Sequence, residues 1–279
     1  MPPHCEDRVL SESEKDAFRR TVRGFFRDRG RKLPWRETRD PYRILVSEIM
    51  LQQTQVPRVL EKYEAFLAEF PDIRSLAAAP LHEVLAAWQG LGYNRRAAYL
   101  KKAAEMILSD FNGTVPSSPE KLKKLPGIGE ATASAVCAFA FNQPVVFVET
   151  NIRAVYIHHF FGDEHPVSDA RLLPLVAKTL DRRDPRGWYN ALMDYGVYLK
   201  KEYGNPARRS AHHHRQAPFE GSNRQVRGAV LRVLLEHGGI TQGSLIRLLP
   251  FDASRVLQCL EELEREGLIR GKKGHFEIA

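Results

Sequence analysis

Apolar residues recur at helical spacing along most of the first two hundred residues. Asp40 is suited to cap a helix that starts at Pro41, and the separators between later stretches are short and contain Pro or Gly. The short segment PVVFVE, residues 144–149, is the one β-like stretch. The pattern therefore predicts an all-α fold, with further amphipathic helices at 57–69, 80–88, 94–110, 119–124, 130–141, 150–161, 168–181 and 187–200.

This helical pattern breaks off and returns in a different form near the C-terminus. Residues 201–222 are rich in basic residues, Pro, Gly, Ser and His, which predicts a basic linker. Residues 223–279 predict three helices and a basic hairpin, the layout of a winged helix. A small dimerisation or packing module fits the same pattern. Arg270, Lys272 and Lys273 of the hairpin suit either phosphate contacts or a solvated turn.

Composition and charge narrow the class of protein. The chain has 279 residues, 43% of them hydrophobic and 27% charged, which suits two compact units. No apolar run approaches the length of a membrane span, and the N-terminus does not resemble a secretory signal, so we expect a cytoplasmic, nucleoid-associated protein. A net charge of +8 favours a polyanionic partner, most commonly nucleic acid. The three cysteines, Cys5, Cys137 and Cys259, are too scattered to indicate disulfides or a metal site.

The segment LPGIG, residues 125–129, joins two predicted helices through two glycines. Gly127 and Gly129 allow backbone N–H groups to face outwards in a tight loop, and the next helix adds its own N-terminal N–H groups. Such a hairpin suits a DNA phosphate and positions a duplex without reading its sequence. An ordinary turn between helices fits the same residues.

Two carboxylates occupy unusual positions. Glu48 interrupts the otherwise apolar segment ILVSEIML, residues 44–51, and Glu149 directly precedes a predicted helix. A carboxylate before a helix is favoured by the helix dipole, so capping alone would explain Glu149. A buried ion pair, for example with Arg95, would explain Glu48.

Five blocks of sequence together resemble a known family. LPWR (33–36), DPY and SEIMLQQTQV (within 40–56), LAAWQGLGYNRRAAYLKKAA (85–104), LPGIGEATASAV (125–136) and ETNIRAV (149–155) occur in this order. The series resembles the helix-hairpin-helix DNA glycosylases and, within them, the MutY-type adenine glycosylases. The resemblance covers about residues 20–200.

The resemblance implies a two-lobed helical fold that acts as a monomer on double-stranded DNA with a mismatched or damaged base. One lobe would span 39–150 and contain six helices with the hairpin. The other would combine 1–38 with 151–200, and the winged-helix-like module, 223–279, would follow the linker. DNA would cross the cleft, and the target base would flip into a pocket, because its glycosidic bond is unreachable inside a stacked duplex.

The resemblance also implies roles for the two carboxylates. Glu48 matches the residue that protonates N7 of the flipped adenine, and apolar neighbours such as Ile44, Leu45 and Leu51 would raise its pKa. Glu149 matches the carboxylate that stabilises the oxocarbenium charge and orients the attacking water.

Residues that contact DNA carry over from the same blocks. Gln53 and Tyr93 match residues that wedge into the base stack, although packing would also explain them. Asp194 matches a structural aspartate and is expected to cap a helix. The full set of expected DNA contacts is Gln53, Thr54, Tyr93, Gly127, Gly129, Lys200, Lys201, Arg208 and Arg209.

The chain departs from the family pattern in its chemistry. Glu149 stands where the family has aspartate, and a misplacement of about 1 Å in a tuned site can cost roughly 100-fold in rate. Ala131, after Glu130, occupies the position of the Schiff-base lysine of the bifunctional branch, so we expect hydrolysis without strand cleavage. Adenine glycosylases often have tyrosine there.

The chain also departs from the family in its cofactor and C-terminal region. The four cysteines that usually follow MD-x-G are missing, so no iron–sulfur cluster and no other cofactor is expected. His212, His213 and His214 are adjacent and lack the spacing of a metal site, so no metal is expected either. The winged-helix-like module stands in place of the domain that typically recognises 8-oxoguanine.

Three hypotheses follow from the sequence. The first is a monofunctional DNA glycosylase of base excision repair that removes adenine opposite guanine or 8-oxoguanine. The second is a mismatch glycosylase for uracil, thymine or hypoxanthine, suggested by Ala131 and Glu149. The third is a DNA-damage-binding protein without catalytic activity, which the presence of both carboxylates disfavours.

Overall fold

The structure, a computed structural model, describes residues 10–213 and 216–279. Cys5 and His214 lie outside these residues. The described chain is mostly helical, as predicted, and its only sheet lies near the C-terminus. The helices are α1 (Glu12–Arg29), α2 (Pro34–Glu37), α3 (Pro41–Leu51), α4 (Val56–Glu69), α5 (Ile73–Ala78), α6 (Leu81–Ala87), α7 (Arg95–Asp110), α8 (Pro119–Leu122), α9 (Glu130–Phe141), α10 (Thr150–Phe160), α11 (Asp169–Thr179), α12 (Pro185–Glu202), a 3-10 helix (Pro206–Arg209), α13 (Asn223–His237), α14 (Gln242–Leu248) and α15 (Ala253–Arg265), and the strands are β1 (Ile240–Thr241), β2 (Ile269–Lys272) and β3 (His275–Ile278).

Local sequence signals explain most helix bounds. Helix α1 starts with a capping box between Ser11 and Glu14, and α12 starts with Pro185 after Asp184, whose side chain accepts from the N–H of Gly187. Helix α5, which the periodicity does not predict, is short and is capped by Asp72 through the backbone N–H of Ser75. The eight helices predicted between residues 57 and 200 correspond to α4 and to α6 through α12, and their predicted bounds are correct to within two residues.

The β-like segment PVVFVE is not a strand. Residues 144–149 form neither a helix nor a strand, and they pair with no strand in the part of the chain that the structure describes. Phe147 and Val148 are buried in the helical core instead, and the ring of Phe147 packs against Tyr189 with centroids 4.3 Å apart. The β-branched residues therefore reflect burial of this connection and not sheet pairing.

The described chain divides into two compact units. Unit 1 contains residues 10–44, 117–123 and 129–213, and its core is built around α10 and α12 with α1 and α11 packed against them. Phe18 of α1 contacts three aromatic rings of this core, those of Tyr156, Phe160 and Trp188, with ring centroids 5.0 to 5.8 Å apart. Burying such aromatic side chains supplies most of the stabilisation of a helical core.

Helices α10 and α12 approach each other closely in an antiparallel arrangement. A Cβ at Gly196 would lie 2.4 Å from the carbonyl oxygen of Asn151, so only glycine fits at this crossing. Farther along the pair, Tyr156 contacts Trp188. Because the position on α12 falls as the position on α10 rises, the C-terminal end of α12 lies beside the N-terminal end of α10.

The predicted basic linker is partly ordered in unit 1. Helix α12 extends to Glu202, and the 3-10 helix Pro206–Arg209 packs against α10. Ser210 forms a parallel bridge with Val167, whose N–H donates to the carbonyl of Arg209 at 2.8 Å. The first ten residues of the segment therefore belong to the helical unit.

Unit 2 contains residues 45–116, 124–128 and 216–279. Its first part packs α5 and α6 against α7 and α4 against α6, around buried side chains such as Tyr63, Phe66 and Trp88. Phe66 and Trp88 meet edge to face with centroids 5.8 Å apart.

The second part of unit 2 is a winged helix. Helices α13 and α15 pack together with α14, and the strands form an antiparallel sheet in the order β1-β3-β2. Ile269 pairs with Ile278 and Lys272 with His275, so Lys273 and Gly274 form the tip of the wing. In the described residues no helix combines the length and the hydropathy needed to cross a membrane.

Candidate active site and DNA-contacting loops

Glu149 is the N-cap of α10 in unit 1. Its Oε1 accepts hydrogen bonds from the backbone N–H groups of Asn151 at 2.6 Å and Ile152 at 2.9 Å. Its Oε2 accepts from the Asn151 side chain at 3.3 Å. The residue is partly exposed, and its carboxylate is oriented by the helix that it caps.

Burial and nearby charges act in opposite directions on Glu149. Burial raises the pKa of this carboxyl above its ordinary value, while the N–H groups of α10 and the cations Lys200 and Arg153 oppose the rise. Arg153 is shared with Asp169, which accepts from it at 2.6 and 2.7 Å. Lys200 lies on the last turn of α12, beside the start of α10, and the structure therefore brings two predicted site residues, Glu149 and Lys200, together.

Glu48 lies in unit 2, in the last two turns of α3. It is partly exposed, while its helix neighbours Leu45 and Ile49 are buried at 0% and 1% exposure. Leu51, expected to belong to the apolar surround, is itself partly exposed. Arg95, the alternative ion-pair partner, forms an ion pair with Glu266 at 3.6 Å.

Arg96 fixes the backbone that follows Glu48. Its Nη1 donates to three carbonyls, and its Nη2 donates to a hydroxyl and to two further carbonyls. The carbonyls belong to Ile49, Met50 and Gln52 at 2.7, 2.8 and 2.6 Å and to Leu91 and Gly92 at 3.3 and 3.0 Å, and the hydroxyl is that of Thr54 at 2.9 Å.

One buried guanidinium thus joins the C-terminal end of α3 to the loop before α7. The last carbonyls of a helix lack partners within the helix and carry its negative dipole end, which a cation satisfies. Arg96 is 9% exposed, and burial lowers its pKa to about 10. Only the planar arginine fork can serve so many acceptors at once.

Both loops held by Arg96 carry a residue in the left-handed region. Gln53 has φ +53° and Tyr93 has φ +48°, a conformation that non-glycine residues rarely adopt. Such backbone strain clusters at functional sites. Gln53 is exposed and Tyr93 partly exposed, so the structure presents both residues that were expected to enter the base stack, and joins their loops through Thr54.

The glycine hairpin is tied to the same loops. The carbonyl of Gly127 accepts from the Gln52 side chain at 3.3 Å. Gly127 has φ +76°, and a Cβ there would lie 2.9 Å from Tyr99, so no other residue fits. The turn at Gly127 therefore requires glycine, and its contact with DNA stays a prediction.

Gly129 has a different structural role from Gly127. It is the N-cap of α9 with an ordinary extended backbone, φ −87°, and a Cβ would meet nothing within 4 Å. Open space at a helix N-terminus leaves room for a ligand to approach the backbone N–H groups. Ala131, at the position of the family's lysine, is exposed in the first turn of α9.

The basic residues expected to contact DNA lie near the end of α12. Lys201 and Arg208 are exposed, whereas Lys200 and Arg209 are partly buried. Burial lowers the pKa of Lys200, the charge of Glu149 opposes that shift, and Arg31 adds to it. In the wing, Lys272 and Lys273 are exposed, and Arg270 is paired with Glu277 at 2.6 Å.

Asp194 is a buried structural aspartate, but it does not cap a helix. It lies inside α12 at 3% exposure and accepts hydrogen bonds from the backbone N–H and the guanidinium of Arg31, both at 2.7 Å. Arg36 donates to it twice at 2.9 Å. Burial alone would raise the pKa of Asp194, but the hydrogen bonds from Arg36 and Arg31 lower it below its ordinary value. The carboxylate therefore joins α12 to the connection between α1 and α2.

The residues after α12 do not fit an iron–sulfur cluster. The stretch 197–213 contains no cysteine, and the described cysteines are Cys137 in α9 and Cys259 in α15. Burial raises the pKa of both thiols to about 11, which disfavours thiolate ligands. Among residues 10–213 and 216–279, no group of three or more His, Cys, Asp or Glu could hold a metal ion. That no cofactor is bound stays a prediction.

Sequence reasoning missed Arg96 and the pairing of Lys200 with Glu149. A signal for Arg96 was present, because it shares its face of α7 with Leu100 and Ala103, which marks it as buried. A buried arginine needs several acceptors, and the helix end that precedes QQT supplies them. No local pattern indicates that Lys200 lies near Glu149, because that pairing depends on the crossing of two helices.

Comparisons with known proteins identify the family of this chain. Residues 46–173 match the HhH-GPD superfamily of base excision DNA repair proteins. An adenine DNA glycosylase from Mycolicibacterium smegmatis is 34% identical over 270 residues, covering 89% of this chain and 92% of its own length. The chain belongs to the HhH-GPD superfamily.

Other members of the superfamily match over part of their length. The adenine DNA glycosylase of Buchnera aphidicola is 36% identical over 187 residues, covering 65% of this chain and 52% of that enzyme. The human adenine DNA glycosylase is 33% identical over 197 residues, covering 66% of this chain and 36% of that enzyme. The chain therefore spans about half of the Buchnera relative and about a third of the human one.

Solved structures of the superfamily share the fold. A thermostable thymine-DNA glycosylase has a TM-score of 0.61 at 29% identity, covering 66% of this chain and 87% of that one. An endonuclease III in non-covalent complex with DNA has a TM-score of 0.58 at 21% identity and covers 68% of this chain. Residues 224–270 match the winged helix-turn-helix DNA-binding family. The predicted fold class and the assignment to base excision DNA glycosylases are confirmed.

Proposed function

We propose that this superfamily member is a monofunctional DNA glycosylase that removes adenine mispaired with guanine or 8-oxoguanine. The relatives named adenine DNA glycosylase, at 33% to 36% identity, support adenine as the base. The observation that carries the proposal is the placement of Glu149, a helix-oriented carboxylate with two cations acting on it. We propose that Glu149 acts on the mismatched nucleotide after that nucleotide has been extruded from the base stack.

In the proposed reaction, Glu48 donates a proton to N7 of the extruded adenine. The glycosidic bond then breaks with its electron pair moving to the protonated base, which leaves as neutral adenine. The remaining sugar carries oxocarbenium charge, which the ionised Glu149 stabilises. Water adds to the sugar carbon and gives its proton to the Glu48 carboxylate, which leaves an abasic site and returns Glu48 to its protonated form.

Hydrolysis without strand cleavage is proposed because of Ala131. A lyase step requires an amine that forms an imine with the sugar, and the corresponding position in α9 carries a methyl group. The chain is proposed to act as a monomer in the cytoplasm. No cofactor is proposed, because water is the only co-reactant that this chemistry consumes.

A second candidate is excision of thymine, uracil or hypoxanthine from mismatches. The likeness to a thymine-DNA glycosylase at 29% identity favours it. The glutamate at position 149, where the family pattern has aspartate, also favours it. The third hypothesis, damage binding without catalysis, has no comparable support, because the relatives that match this chain are named as glycosylases.

The test is a panel of labelled duplexes with each mispair, incubated with the purified protein and then treated with alkali. Breaks at adenine opposite guanine or 8-oxoguanine support the proposal. Release of another base supports the second candidate, and tight binding without release supports the third. Strand cleavage before the alkali step would contradict the monofunctional assignment.

A further inference from the structure

The winged helix is attached to the first part of unit 2 through Tyr93. Nη1 of Arg224, in the first turn of α13, donates to the hydroxyl of Tyr93 at 3.0 Å. The guanidinium carbon of Arg224 also lies 5.7 Å from the centre of the Tyr93 ring. The module thus contacts the strained loop between α6 and α7 directly, through a charge-assisted hydrogen bond.

Arg224 is itself held in place by the segment that precedes α13. Its Nη2 donates to the carbonyl of Ala217 at 2.6 Å and to that of Pro218 at 3.4 Å. The same guanidinium therefore joins three parts of unit 2, namely α13, the end of the connecting segment and the Tyr93 loop. Because the Arg224 guanidinium is already fixed by these carbonyls, little rotamer entropy is lost when it also binds the Tyr93 hydroxyl.

A second contact, an ion pair, joins the module to α7. Arg95 contacts Glu266 at 3.6 Å, and Glu266 also pairs with Arg227 of α13. Arg95 and Arg96 follow Tyr93 closely in the chain, and the Arg96 guanidinium lies 5.5 Å from the Tyr93 ring. Tyr93 consequently contacts a buried arginine of α7 and an arginine of the winged helix.

The conformation of Tyr93 indicates what this arrangement does. A tyrosine at φ +48° is strained and persists only when its surroundings fix it. A partly exposed aromatic ring beside arginines is suited to stack on a nucleobase. Fixing such a ring in advance reduces the ordering cost that DNA binding would otherwise carry.

We propose that Arg224 is a positioning residue for DNA recognition: through the Tyr93 hydroxyl, the winged helix holds the Tyr93 ring in the orientation that enters the base stack of a mismatched duplex. This proposal rests on the proposed function for its substrate. The winged helix would then orient a DNA-contacting residue of the glycosylase site, in addition to any contact of its own with DNA.

The experiment is a double-mutant cycle in the full chain. Arg224→Gln removes the charged donor, and Tyr93→Phe removes the hydroxyl but keeps the ring. The dissociation constant for a mismatched duplex is measured by fluorescence anisotropy, and the excision rate is measured in single turnover at saturating protein. Arg232→Gln is the matched control, because Arg232 is an exposed arginine of the same helix.

We expect each single change to raise the dissociation constant about tenfold, in line with the loss of one hydrogen bond to a charged group. The double variant should be no weaker than either single one, Arg224→Lys should recover part of the affinity, and Arg232→Gln should bind normally. The rate at saturation should change much less than the affinity. Thermal unfolding midpoints identify a variant that fails to fold, in which case Tyr93→Phe and Arg224→Lys decide.

Additive effects of the two changes, or unchanged affinity in Arg224→Gln, would overturn the proposal. Its failure is separable from that of the proposed function, because the binding cycle does not require catalysis. A wild-type protein that releases no adenine but shows the coupled losses of affinity contradicts the proposed function alone.

Discussion

The side chain of Glu149 accepts the backbone N–H of Ile152 at 2.9 Å, so the proposed catalytic carboxylate also caps the helix that orients it. Capping and catalysis are not alternatives here. The cap fixes the direction of the carboxylate, and burial together with Lys200 and Arg153 sets its charge. The glutamate reaches these N–H groups from the N-cap position, where the shorter side chains of Ser, Thr, Asp and Asn are preferred.

Replacing Glu149 by Gln should abolish excision without destabilising the fold. The amide oxygen can still accept the N–H of Ile152, but no charge remains to stabilise the sugar cation. Because burial raises the pKa of Glu149, ionisation of this group disfavours the folded state, increasingly as pH rises through the raised value. A melting temperature at neutral pH equal to or above that of wild type is expected. A clear drop would mean that the charged form contributes to stability.

The pH dependence of excision should report the interaction of Lys200 with Glu149. Glu149 acts as a carboxylate, so activity should fall as pH falls through its raised pKa. Lys200 lowers that pKa, and Lys200→Met should therefore move the acidic midpoint of single-turnover excision to higher pH. Arg153 of α10 remains in this variant and limits the shift. Lys200→Arg keeps the charge and should leave the midpoint near wild type.

A matched control for Lys200 is Lys102→Met, which removes an exposed lysine of α7. Its acidic midpoint should equal that of wild type. An identical midpoint in Lys200→Met and Lys102→Met would show that Lys200 does not act on the reacting carboxylate. Saturating protein concentrations separate this effect from weaker DNA binding.

Arg96→Lys should be severely destabilising although it keeps the charge. A lysine ammonium has three donors, whereas Arg96 donates to six acceptors at the end of α3 and in the Tyr93 loop. Buried carbonyls without donors cost about 1–3 kcal/mol each, so a loss of at least about 3 kcal/mol in the free energy of unfolding is expected. Denaturant titration measures it. A loss below about 1 kcal/mol would contradict the described network.

Asp194→Asn should lower the free energy of unfolding of unit 1 by roughly 3–5 kcal/mol, because it leaves the partly buried Arg31 and Arg36 without their counter-ion. The lowered pKa of Asp194 sets the pH dependence: its stabilisation is present above the ordinary aspartate value and is lost as pH falls through the lowered one. Wild type should therefore lose stability towards low pH more steeply than the variant. Parallel curves for the two proteins would contradict this assignment.

The sequence predicted more of the fold than of the site. Helical spacing and Pro or Gly separators located the long helices, because those signals are local. The β-like segment 144–149 was misjudged, because a buried connection and a strand can have the same composition. Asp194 was expected to cap a helix. It instead binds Arg31 and Arg36, which lie 163 and 158 residues before it in the chain.

The same distinction applies to the site. Glu48 and Glu149 were predicted as site residues from sequence blocks that resemble the family. Arg96 could have been found from its place on the buried face of α7. Lys200 acts on Glu149 through a helix crossing and Arg224 acts on Tyr93 through a module contact, and neither contact leaves a pattern within a window of sequence.

The central claim is that Glu48 supplies the proton for base release, and single-turnover kinetics of Glu48→Gln on a duplex with adenine opposite 8-oxoguanine tests it most directly. A general acid contributes about 10²–10⁴-fold, so the variant should release adenine slower by that factor while its dissociation constant for the duplex stays near wild type. Release by Glu48→Gln at the wild-type rate would contradict the account.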